Sequence, residues 1–135
     1  MRQGLVALLA FAMAGCAAVP APSCPVGGDA KVRAEIYFGR NIGDTIGVSE
    51  AAFRRFIDEE ATPRFPDGFT ILDGWGQYRD QARNRIAREP SKVLVIVLAD
   101  EARDAPRLHE IAEAYKKRFR QQSVGIVTQR ACAAF

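Results

Sequence analysis

Val93-Leu94-Val95-Ile96-Val97-Leu98 is the stretch that most limits how this chain can fold. It is too short for a helix of its own, rich in β-branched residues, and has no polar face. Such a run reads as a strand inside a sheet, covered on both sides, and the other elements must be arranged around it.

Before it, Val32-Arg33-Ala34-Glu35-Ile36-Tyr37-Phe38 alternates apolar and polar residues, the pattern of a strand with one buried face. Val32, Ala34, Ile36 and Phe38 are expected inward, Arg33, Glu35 and Tyr37 outward. Gly39 to Gly47 reads as a loop. Ser49 has the character of a helix N-cap, with Val48 and Phe53 as a hydrophobic staple across it. Phe53, Phe56 and Ile57 share one helical face, Arg54/Asp58 and Arg55/Glu59 are i,i+4 pairs, and Pro63 closes the helix. Pro66-Asp67-Gly68 is a turn. A second strand follows from Phe69 and continues irregularly to Tyr78, with Gly74 and Gly76 allowing a bulge. A hairpin tip spans Asp80–Arg85, and Pro90 predicts a bulge or a break in the return strand. Asp104 and Pro106 open a second helix with Leu108, Ile111, Ala112, Tyr115 and Phe119 as its apolar stripe. Ser123–Ala131 is a last strand.

The order β-α-β-β-α-β predicts an α+β, ferredoxin-like sandwich: a four-stranded antiparallel sheet with two helices on one face. Its first and third strands lie in the middle, and the first and last are antiparallel neighbours.

The N-terminus carries a different message. Arg2 is followed by the apolar run Leu5–Ala14 and then Met13-Ala14-Gly15-Cys16, which has the organisation of an export signal. With cysteine first after the cut, the stretch resembles the lipobox of bacterial lipoproteins, in which that thiol is acylated. An uncleaved anchor and a secretory signal cut near Ala14 are the competing readings. The uncharged stretch continues to Asp29, but its second half is Pro-rich and weakly apolar, poor material for a spanning helix. The expected organisation is a signal peptide over 1–15, a flexible tether over 16–30 and one domain over 31–135. Ala17 after the lipidated residue points to the periplasmic side of the outer membrane. Lipidation of Cys16 would leave Cys24 and Cys132, an even number in an oxidising compartment. The fold brings both to the same sheet edge, so a disulfide is expected; two unpaired thiols are the alternative.

Composition excludes more than it assigns. A net charge of +3 spread over both signs does not point to nucleic acid. One histidine and three cysteines leave too few ligands for a metal centre, and no cofactor motif is present. Ser91 and Lys92 are adjacent on a strand and point to opposite faces, so they cannot act as a nucleophile pair. His109 is a lone imidazole, and no catalytic residue is assigned. The candidate binding residues are Tyr37, Arg40, Trp75, Gln77, Arg79, Glu89 and Lys92, expected near the uncovered sheet face and the long hairpin. Arg40, Arg79 and Lys92 would favour an anionic group.

From Tyr37 onward the chain resembles a family of small exported bacterial proteins, domain-of-unknown-function family 3574. The matching pieces are Tyr37-Phe38-Gly39-Arg40, Thr62–Thr70 with Leu72-Asp73, Gly76-Gln77-Tyr78-Arg79, Arg88–Val95, Ala114–Phe119 and Gln122-Ser123-Val124. The resemblance implies an exported, often lipidated protein and no activity. The expected function is a membrane-anchored envelope lipoprotein that binds through its open sheet face without catalysis. The alternative is a small dimeric ferredoxin-like enzyme, of oxygenase or isomerase type, with a pocket between sheet and helices. The expected partners are the membrane through the lipid, a second copy of the chain, or a small anionic ligand.

Overall fold

The computed structural model describes residues 24–135 except 26. The leader, Cys16 and the first part of the tether lie outside the described residues. Strand β1 runs from Asp29 to Gly39, so it starts inside the segment expected as tether. A small hairpin follows, β2 (Asn41–Ile42) and β3 (Thr45–Ile46), where the sequence suggested a plain loop. Helix α1 (Glu50–Phe56) continues into a wide π turn over Ile57–Ala61. The long hairpin consists of β4 (Thr70–Asp80) and β5 (Arg85–Leu98); α2 (Glu101–Phe119) and β6 (Gly125–Ala133) complete the chain.

The sheet order is β4-β5-β1-β6, antiparallel throughout, with β1 and β5 central. This is the ferredoxin-like arrangement, and both helices pack on one face. There Val32, Ala34, Ile36 and Phe38 of β1 and Leu94, Ile96 and Leu98 of β5 are buried against Phe53, Phe56, Leu108, Ile111 and Tyr115. Aromatic rings interlock at the centre: Phe38 and Tyr115 lie 4.6 Å apart between centroids, and Phe56 and Tyr115 5.0 Å. The buried Tyr115 hydroxyl donates to the Gly39 carbonyl at 2.9 Å, and burial pushes its pKa well above the ordinary phenol range. Cys24 and Cys132 form a disulfide with Cα atoms 5.4 Å apart, tying the chain before β1 to the end of β6.

Several local expectations are corrected. The β4–β5 register is unbroken from Thr70↔Val95 to Asp80↔Arg85, with neither a bulge at Gly74 and Gly76 nor a break at Pro90. In an antiparallel strand the N–H and C=O of one residue point the same way. The Pro90 carbonyl accepts from Arg40 N at 3.1 Å, so its missing N–H faces the β1 side, where β1 has ended. The Arg40 carbonyl that would have taken that proton accepts instead from Gly47 and Val48, each at 3.0 Å. No ladder bond to β4 is lost. The second helix starts at Glu101, capped by Asp100, with Pro106 inside it. Asp104 is buried within α2, accepting from Asp100 N at 3.0 Å and from Arg103 Nε at 2.7 Å. The hydrogen bond from Arg103 holds its carboxyl below the usual range. In the π turn Thr62 N reaches back to Ile57 O at 3.0 Å, and Glu59 and Glu60 face α2, where both pair with Arg118, Glu60 also pairing with Arg64 at 3.0 Å. No helix among the described residues is long and apolar enough to cross a membrane.

Candidate functional site

The strand pairings place every side chain of the sheet on one of its two faces. On the side away from the helices they line up in rows across the strands. One row is Leu72–Val93–Tyr37–Gly125, and the next is Thr70–Val95–Glu35–Val127. Toward the hairpin arm come Gly74–Ser91–Gly39, then Gly76–Glu89, then Tyr78–Ala87. Val93, Val95 and Val97 are half-buried by their strand neighbours alone. Tyr37 is 40% exposed, Leu72 47%, Val127 52% and Tyr78 56%, and among the described residues no element covers them. Leu72, Val93, Tyr37, Val95 and Val127 therefore gather apolar surface in two adjacent rows, interrupted by Thr70 and Glu35, and a strip of small residues follows on the hairpin side.

Glu89 lies in that strip. A side chain at Gly39 would bring its Cβ within 2.8 Å of a Glu89 carboxylate oxygen, and one at Gly76 would lie 3.6 Å from Glu89 Cγ. The glycines leave room for the carboxylate, which accepts from Asn41 N at 3.2 Å. The β2–β3 hairpin stands beside the arm, and between them is a cleft of about 190 Å³ reaching from Glu89 past Tyr78 to Arg83 and Arg85.

The seven residues singled out by sequence do not form one cluster. Tyr37 and Glu89 are on the uncovered face. Tyr37 donates to Glu35, which also pairs with Arg33 at 2.7 Å; the bond to the Glu35 carboxylate raises the tyrosine's pKa. Lys92 follows the parity of Phe38 and lies on the helix side. It is buried there, paired with Asp73 and, at 2.9 Å, with Glu50, its ammonium 5.9 Å from the Phe53 ring centroid. Asp73 first and Glu50 second raise the Lys92 pKa, and the lysine lowers both of theirs. Arg40 is buried beside it, donating to Val48 O at 2.9 Å and pairing with Glu50. Trp75, Gln77 and Arg79 occupy the opposite side of the arm; Gln77 accepts from Arg88 at 2.8 Å and Arg79 donates to Asn84 at 3.2 Å. The three cations expected to ring an anion thus face away from the open rows, and two are neutralised in an internal network. Leu72, Tyr78, Ser91 and the flanking glycines are the residues sequence reasoning missed. The alternation Leu72-x-Gly74-x-Gly76-x-Tyr78 was the available signal, obscured by reading those glycines as a bulge.

His109 is exposed on α2, and among the described residues no group of His, Cys, Asp and Glu is placed to hold a metal. A second cavity, of about 80 Å³, lies beside Asp104 between the start of α2 and the Phe65–Gly68 turn.

The family model for proteins of unknown function DUF3574 matches residues 33–135. The chain belongs to the DUF3574 family. The match spans β1 to the C-terminus and includes both faces of the sheet. No curated protein matches the chain. Among solved structures, a phage SAM lyase in complex with S-methyl-5'-thioadenosine is similar at 18% identity, covering 79% of this chain and 92% of that one, with a TM-score of 0.62. The phage SAM lyase in its apo state matches at 17%, over 85% and 98%, with a TM-score of 0.59. CutA from Synechococcus elongatus, complexed with Bis-Tris, matches at 11%, over 80% and 87%, with a TM-score of 0.51. At these identities the likeness is one of fold, and the ferredoxin-like sandwich of this DUF3574 member is shared with an enzyme among its neighbours.

Proposed function

We propose that this protein is a lipid-anchored component of the bacterial cell envelope, held on the periplasmic side of the outer membrane through Cys16, that acts by binding through the uncovered face of its sheet. The observation that carries the binding reading is the apolar surface of Leu72, Val93, Tyr37, Val95 and Val127 on the uncovered face, with Glu35, paired to Arg33, as the charge set within it. A lone domain gains nothing by leaving such a surface in water, and burying one large apolar side chain contributes roughly 1.5–3 kcal/mol. The anchoring reading rests on Met13-Ala14-Gly15-Cys16 and the apolar run before it. The Cys24–Cys132 disulfide suits an oxidising compartment.

The fold likeness to a phage lyase keeps a second reading in view, a small enzyme with its pocket between sheet and helices. In that layer the described residues pack Phe38, Phe53, Phe56 and Tyr115 ring against ring. The 80 Å³ cavity lies at its end, beside an Asp104 already bonded to two arginines and a backbone N–H.

Two measurements test the proposal. Labelling cells with a radioactive fatty acid should mark the wild type and not Cys16→Ser; equal incorporation would end the anchoring claim. Sedimentation of the detergent-solubilised protein should give an assembly heavier than one chain, reduced to the single chain by Tyr37→Ser with Leu72→Ser. A wild type that sediments as a single chain, or a folded double variant of unchanged mass, would contradict self-association through this face.

A further inference from the structure

We propose that the cleft between the β2–β3 hairpin and the β4–β5 arm binds a small organic cation, its primary ammonium seated on Glu89. This site lies on the same face as the apolar rows, nearer the hairpin tip, and its titration in the purified protein reads out independently of what covers them.

The charges of the cleft point to this class. Asp44 pairs with Arg85 and, at 3.9 Å, with Arg83, while Asp80 pairs with Arg83 at 3.0 Å. Arg88 is turned to Gln77 on the other side of the arm. Of the three carboxylates that line the cleft, Glu89 is the one with no cationic partner among the described residues, and its carboxylate accepts from Asn41 N at 3.2 Å. An ionised carboxylate offers about four acceptor sites, of which the described protein groups take one. The carboxylate is half-buried against Gly39 and Gly76, where it is less screened than a charge standing in water. An anion would be repelled here, and a neutral polar molecule would leave the charge uncompensated.

Size and shape narrow the class further. The cleft measures about 190 Å³, somewhat more than the ~150 Å³ that accommodates benzene in an engineered apolar cavity. That suits a molecule of a few heavy atoms. Tyr78 lies one row from Glu89 on the same face, and its exposed ring adds a second attraction for a positive group. A single free carboxylate is too few ligands for calcium or magnesium, which take six or more oxygens. An ammonium needs only three acceptors, which the carboxylate and neighbouring water or carbonyls can supply.

The test is a titration of the ¹⁵N-labelled full-length protein, solubilised in detergent in an amine-free phosphate buffer. Ethanolamine is the probe, with ethylene glycol as the neutral comparator and potassium chloride at matched ionic strength. Ethanolamine should shift the amides of Asn41, Gly76 and Ala87 saturably, with the comparators giving no such response. Glu89→Gln should weaken binding about tenfold or more, the effect of losing a charge-assisted bond, and Tyr78→Leu should weaken it by a smaller factor. Ala87→Lys supplies a tethered ammonium beside Glu89 and should abolish ethanolamine binding while the protein stays folded. Equal shifts with ethylene glycol or potassium, unchanged affinity in Glu89→Gln, or full ethanolamine binding in Ala87→Lys would each overturn the assignment.

Discussion

One sheet carries two unlike faces, and β5 shows the contrast residue by residue. Leu94, Ile96 and Leu98 point to the helices and are all but sealed from water, whereas Val93, Val95 and Val97, their immediate neighbours, are only half-buried. The helix side is finished: its aromatic rings interlock, and its buried charges, Arg40, Lys92 and Asp104, all have partners. On the other side, among the described residues, the apolar side chains have no covering element and the Glu89 carboxylate has no cationic partner. A run that is apolar on both sides marks a central strand in either case. It does not say whether the second cover belongs to the same molecule. The difference separates what holds the domain together from what it presents to others.

Substitutions on the two faces should therefore act differently. Phe56→Ala, in the middle of the ring cluster, is expected to destabilise by about 3–5 kcal/mol, while Leu72→Ala on the uncovered face should change the isolated domain by no more than about 0.5 kcal/mol. Comparable losses in denaturant melts would erase the distinction. Reduction of the Cys24–Cys132 bond, or Cys132→Ser, should lower stability by about 2–5 kcal/mol, because the bridge spans a sequence separation of 108. The effect belongs to the whole chain, so the midpoint should fall without a change in binding by either face; a midpoint unmoved by reduction would contradict this.

Asp104 gives a pH-dependent handle on the helix side. Its carboxyl is held below the unfolded value of about 3.8 first by Arg103, then by the Asp100 N–H and Arg107. A depressed folded pKa means the stabilisation is present above the unfolded value and lost as pH falls through the folded one. Asp104→Asn should cost roughly 1–3 kcal/mol at neutral pH, and the gap to wild type should narrow below about pH 4. A gap constant from neutral to strongly acid pH would show that the ionised form is not what matters. A smaller loss than at Phe56 is expected at Gly68, which sits at φ +113° in the turn closed by its own N–H to Phe65 O at 3.2 Å. Gly68→Val should destabilise by about 1 kcal/mol or more, again without touching the uncovered face.

The architecture was legible because its signals are local. Alternation marked β1, the cap and staple at Ser49, Val48 and Phe53 marked α1, and the order of elements set the sheet topology. The positive φ of Gly68 followed from its turn residues. The arm was misread where the outcome depends on a neighbour. Pro90 breaks nothing because β1 happens to end beside it, and Gly74 and Gly76 make room for Ser91 and Glu89 rather than bulging. The site suffered for the same reason. Residue type suggested that Arg40 and Lys92 would bind an anion, but which face they take follows from the register with Phe38 and from carboxylates at Glu50 and Asp73 supplied by other elements. Glu89 and Tyr37 were named, yet the row that joins Leu72 to Tyr37 exists only once β4, β5 and β1 are aligned.

The central claim, that the uncovered face is the surface through which this protein meets a partner, is tested most directly by hydroxyl-radical footprinting of the aromatic side chains. Intact envelopes carrying the protein would be compared with the purified protein at high dilution. Tyr37 and Leu72 bracket one row of that face, Tyr78 stands farther along it, and Trp75, 78% exposed, points to the other side of the arm. Oxidation of Tyr37 and Tyr78 should be suppressed in the envelope relative to the dilute protein, with Trp75 oxidised to the same extent in both. Equal oxidation of all three residues in the two samples would contradict the account.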